Sequence, residues 1–222
     1  MIISLRRSIA FLEDKVWSKV ILFSLTLFLI RIADAIISFW APNQIQSALG
    51  SSAWMGMIIS FQSIIGFGAD LIFPTLLRTT KTKRLIFWAV IMSALTSFFL
   101  AGSVAQPFIA IFLITMTLWG IYYEFVAFAS YQFMGSTVPS HMRSAAWGVV
   151  GTFVNMAYFF GPLLASAILL KSYILAEGLI LVFLVLALLL LSLLKGPHDV
   201  PSKINQYTAL GFSNTFHIAK LE

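Results

Sequence analysis

LITMTLWGIYYEFVAFASYQFMGSTVPSHMRSAAWGVVGTFVNMAYFFGPLLAS, residues 113–166, decides how this chain folds. It reads as two apolar helices joined by a short polar turn. Glu124 lies deep in the first and Gly161-Pro162 deep in the second, with Arg143 at the turn between them. A membrane helix needs roughly 20 apolar residues, and both segments are long enough. An acid and a proline in the middle of such spans are expected to carry structure or function.

Outward from this pair the pattern repeats. Spans are expected at about 16–41, 53–77, 85–101, 108–134, 145–170 and 179–194, the last extendable back through Tyr173. Pro42 is expected to help end the first. The chain of 222 residues is 60% hydrophobic and 10% charged. A soluble domain carries about a quarter charged residues, so the expected class is all-α, a polytopic membrane protein with six transmembrane helices. The organisation is an amphipathic N-terminal segment (1–16), the bundle (17–195), and a cytoplasmic tail or linker (196–222). In the first segment Ile2, Leu5, Ile9, Leu12 and Val16 recur at helical spacing, as in a helix lying on a membrane surface.

The formal charge of +6 does not point to nucleic acid, because the basic residues sit in short loops. Arg6, Arg7, Lys15, Lys19, Arg78, Lys81, Lys83, Arg84, Arg143, Lys195 and Lys203 fall on one side, and Lys171 on the other. The positive-inside rule then puts both termini in the cytoplasm of a cell-membrane, multi-pass protein. An even number of spans agrees with this independently. No enzyme is expected. Ser140-His141 has no acid partner, the three histidines are well separated, there is no cysteine, and no phosphate-binding loop occurs. Neither a metal nor a cofactor is expected.

Charge inside the hydrocarbon is costly and normally faces the bundle interior or a wet cavity. Arg31 and Asp34 are spaced to share one face of the first span. Glu124 shares its face with Gly120, Ala127 and Tyr131, and Tyr123 stands beside it. By depth alone Arg31 is the natural partner of Glu124. Arg31, Asp34 and Glu124 in one cavity would be two acids to one base, leaving one acid to hold a proton or a bound cation. These residues, with Tyr123 and Tyr131, are the candidates for binding solute or proton. The bland alternative is an ion pair that only fixes packing. Asp70, after Gly66 and Gly68, is a gating or structural candidate expected to meet a loop cation such as Arg143 or Arg84. Arg78, Arg84, Arg143, Gly161 and Pro162 belong to the same gating or structural class. Ser144, Gly148 and Thr152 form one small-residue ridge on the fifth span, and Ala157, Gly161 and Ala165 another, allowing close helix approach.

This pattern resembles the N-terminal six-helix half of the major facilitator superfamily over residues 17–195. The stretch LGSSAWMGMIISFQSIIGF is similar to that family's entry into its second span. PTLLRTTKTKR stands at the family's basic signature between spans two and three, with Pro74 at its glycine and Arg78 at its aspartate. In the fourth span Leu113 and Gly120 match, while Met116 stands at an arginine and Trp119 at a glutamine. Ala157, Gly161-Pro162 and Ala165-Ser166 soften the fifth-span motif, and VPSHMRSAAWG places Arg143 at the familiar arginine. The resemblance implies that spans one and four line a central cavity and that two halves rock about a midplane site. The expected function is therefore secondary transport of a small solute, with a proton as candidate coupling ion. The expected partners are the lipid bilayer, the solute and a second six-helix half, whether a missing C-terminal half, a separate chain or a second copy. The alternative from another class is a non-transporting membrane scaffold or assembly protein.

Overall fold

A computed structural model describes the backbone of residues 2–194 and the side chains of 14–194; the expected apolar face of 2–16 lies largely, and the tail 196–222 wholly, outside the residues whose side chains are described. Six helices follow in order: α1 (Ile2–Leu49), α2 (Ser52–Leu76), α3 (Thr82–Ala105), α4 (Ile109–Thr137), α5 (Arg143–Leu169) and α6 (Tyr173–Leu193). A single 3-10 turn, Ser140–Met142, leads into α5. Each of the six is long and apolar enough to cross a membrane. The fold is all-α and the protein is a multi-pass membrane protein.

The first span runs further than its proline suggests. Pro42 lies inside α1, which continues to Leu49. Proline removes one backbone bond, and membrane helices tolerate that where neighbours re-satisfy the freed groups. Asn43 donates its side-chain amide to the Phe39 carbonyl at 2.7 Å in that same turn. What stops α1 is Gly50, at φ +65°, a conformation glycine enters without penalty. Ser51 then caps α2 by accepting from the Trp54 amide, so the α1–α2 connection is very tight. Ser172 caps α6 in the same way, accepting from Ile174 at 3.1 Å.

Helix α1 is the axis of the bundle. Val20, Phe23, Leu27, Ile30, Ala33 and Ile37 are all buried. It packs on α5 and α6, while α3 lies against α4 and α6, and α2 against α4. Phe23 stacks on Phe133 at 4.0 Å between centroids, joining α1 to α4. Hydroxyls in the spans mostly satisfy themselves: Ser24, Thr96, Thr115 and Ser130 each donate to a carbonyl one turn back, so they add little to helix association. α2 and α5 are the least covered. Ile64, Phe67 and Leu71 on α2, and Phe159 and Leu163 on α5, are exposed. Such faces suit lipid or further helices.

Candidate functional site

The spacing of Arg31 and Asp34 does bring them together. Arg31 Nη1 lies 3.2 Å from Asp34 Oδ2, and Asp34 is fully buried. α4 and α5 complete the shell. Trp119 donates its indole N–H to Asp34 Oδ1 at 2.7 Å. Tyr123 donates to Oδ2 at 3.0 Å, and Tyr158 of α5 donates to the same oxygen. The guanidinium reaches the Tyr158 and Tyr122 hydroxyls at 3.3 and 3.5 Å and lies over the Tyr123 and Tyr122 rings at 5.0 and 5.6 Å. Arg31 Nε is buried without a partner. The pair is neutral overall and hydrogen-bonded on nearly all sides, the condition under which buried charge is tolerable.

Close backbone approach makes this possible. A methyl group on Gly161 would overlap Ala35, next in chain to Asp34. The small-residue ridge expected on α5 thus seats it on α1, with Tyr158 one turn away. Pro162 follows Gly161 inside α5, which continues to Leu169.

Glu124 goes elsewhere. It faces Asp70 of α2, with which it lines one cavity, and not Arg31. Successive helix residues point about 100° apart, so Tyr123 faces Arg31 while Glu124 faces α2. Among the described residues, Asp70 forms no ion pair with Arg143 or Arg84. Arg143 donates to the carbonyls of Val138 and Gly135 at 3.1 and 3.0 Å, which caps the end of α4. Arg78, in the turn between α2 and α3, and Arg84, in the first turn of α3, are exposed.

Between α2 and α4 lies a cavity of about 420 Å³. Gln62, Ser63, Gly66, Phe67 and Asp70 form its α2 wall, and Gly120, Tyr123 and Glu124 its α4 wall. Two glycines shape it. A Cβ on Gly120 would sit 2.7 Å from the Gln62 carbonyl oxygen, so glycine lets the helices touch. A Cβ on Gly66 would sit 3.2 Å from Glu124 Oε1, so glycine leaves room for the acid. Tyr123 is common to both places: its hydroxyl holds Asp34, its ring lies under Arg31, and it lines the cavity. Tyr131 does not join them. It is exposed and meets Trp147 of α5 edge-on at 5.7 Å.

Trp119, Tyr122, Tyr158, Gln62 and Ser63 were not expected. Tyrosine and tryptophan in mid-span carry a polar tip that needs a partner when buried, and that was the available signal. Among the described residues no group of three or more His, Cys, Asp or Glu could hold a metal.

Comparison with curated proteins and with solved structures gives no match. A family model, the Major Facilitator Superfamily, matches residues 14–217. That range takes in all six spans and the charged, aromatic and glycine positions that join α1, α2, α4 and α5. The chain belongs to the Major Facilitator Superfamily of membrane transporters.

Proposed function

We propose that this chain is one six-helix half of a secondary transporter that moves a small solute by alternating access, with the α2–α4 cavity as its solute-facing surface. The observation that carries this is the cavity itself. Its size falls in the ligand-pocket range, and two intramembrane carboxyls, Asp70 and Glu124, line it. Intramembrane ionisable groups mark solute or ion pathways. In this reading Glu124 and Asp70 contact solute or a coupling proton. Arg31 and Asp34 work one layer behind, holding α1, α4 and α5 in register through Tyr123 and Tyr158. The exposed faces of α2 and α5 would receive the second half, and both termini would lie in the cytoplasm of a cell membrane.

The chain has no cysteine, which permits a clean test. A single cysteine at Ser63, in the cavity wall, is labelled with a membrane-impermeant maleimide from either side of a vesicle. Alternating access gives labelling from both sides, in a ratio that solute shifts. Labelling from one side only, unmoved by any solute, would favour a scaffold that uses its buried charges for packing alone.

A further inference from the structure

We infer that the α2–α4 cavity takes an organic cation; this deepens the transporter reading above and rests on it. Among the described residues, Asp70 and Glu124 are the charged ones that line the cavity, and no lysine, arginine or histidine does. Arg31, part-buried, stands behind Tyr123, and its charge is answered by Asp34 at 3.2 Å. Among the described residues the cavity lining therefore presents negative charge alone.

The volume decides against a bare ion. About 420 Å³ would leave a metal or ammonium ion surrounded mainly by water, whereas drug-sized ligands fill pockets of this scale. The Phe67 ring and the Tyr123 ring supply the apolar walls such a body needs, and aromatic faces attract cations. The cavity also has direction. Gln62 and Asp70 are eight residues apart on α2, about 12 Å along the axis at 1.5 Å per residue. The cationic group sits by Asp70 and Glu124, and a neutral polar group further along meets Gln62 and Ser63. Among the described residues, no cationic side chain at the Gln62 end would pair with a carboxylate on the solute.

The test uses two ions of nearly the same shape and opposite charge, tetraphenylphosphonium and tetraphenylborate. The 222-residue chain is placed in lipid nanodiscs, and saturable binding is measured by equilibrium dialysis against empty discs. Tetraphenylphosphonium is expected to bind saturably and tetraphenylborate not to. Asp70→Asn with Glu124→Gln is expected to weaken binding on the order of tenfold or more, the scale of losing a close charge partner. Ser63→Trp, at an exposed position, is expected to abolish binding by filling the cavity while leaving both acids in place. Asp70 is itself exposed, so Asp70→Asn alone serves if the double variant melts early. Unchanged phosphonium binding in the acid variants would overturn the inference. Saturable borate binding blocked by Ser63→Trp would overturn the cation class and leave the transporter reading standing. If neither ion binds while Ser63→Cys labelling switches sides, the cation class falls alone. If neither binds and labelling is one-sided, both readings fall.

Discussion

Replacing Asp34 by alanine should be among the most damaging single changes available in the bundle. Asp34 is fully buried and accepts from Arg31, Trp119, Tyr123 and Tyr158. Its loss leaves the Arg31 guanidinium buried with only tyrosine hydroxyls and strands the Trp119 indole N–H. Uncompensated buried charge costs about 3–5 kcal/mol, and a stranded neutral donor about 1–3 kcal/mol more. Losing a single hydroxyl is milder. Hydrogen bonds between membrane helices average about 0.6 kcal/mol, so Tyr123→Phe and Tyr158→Phe should each cost about that much, up to about 1.5 kcal/mol. The diagnostic variant is the double Arg31→Met, Asp34→Leu. Removing both charges removes the desolvation problem along with the attraction, so it should be destabilised less than Asp34→Ala alone. Unfolding in mixed micelles by added SDS, followed by tryptophan fluorescence, gives the free energies. Coupling of about 2 kcal/mol or more between the two sites is expected. Additivity of the single changes to within about 0.5 kcal/mol would refute the idea that the two residues function as a buried pair.

Gly161→Val should destabilise by about 1–3 kcal/mol through overpacking against Ala35, and Ala35→Gly should recover part of it; a melting curve in detergent shows both. Gln132 ties α4 to the neighbouring turn, accepting from Thr82 at 3.1 Å and donating to the Thr80 carbonyl at 2.6 Å. Gln132→Leu should therefore cost about 1–3 kcal/mol and speed proteolysis at Lys81, read by timed trypsin digestion. Cysteines placed singly at Thr79 and Ser172 should label from opposite sides of sealed vesicles, Thr79 from the cytoplasmic side. Labelling of both from one side would overturn the six-span topology.

Span positions were legible because bilayer thickness imposes length on apolar runs, and five of the six spans lie within about four residues of their expected ends. Pro42 is the exception, since a proline inside a membrane helix looks the same in sequence as one that ends it. The Arg31–Asp34 pair was legible because three-residue spacing fixes a shared face within one helix. The partner of Glu124 was not. Depth in the membrane can be counted from the ends of a span, but the rotation of one helix toward another cannot. α4 is apolar nearly all round, with Phe112, Met116, Tyr122 and Val126 buried and Ile114 exposed. No polar face announces which way Glu124 turns. Its direction comes from Gly120 and Gly66, which let α2 come close. Their spacing was visible beforehand, but the two helices they join were not. Tyr158 was overlooked for the same reason: its role exists only once α5 lies against α1.

The placement of Tyr123 also constrains how this transporter can diversify. One side chain is both a bolt in the charge cluster and a panel of the cavity wall. A drift to phenylalanine would loosen Asp34 and alter the cavity wall in a single step, so selection on one property is felt by the other. Gln62, Ser63 and Phe67 carry no such double duty: each lines the cavity from α2 without touching the Arg31–Asp34 cluster. Changes of solute preference among close relatives should therefore accumulate on the α2 wall, while the α4 wall stays fixed at Tyr123.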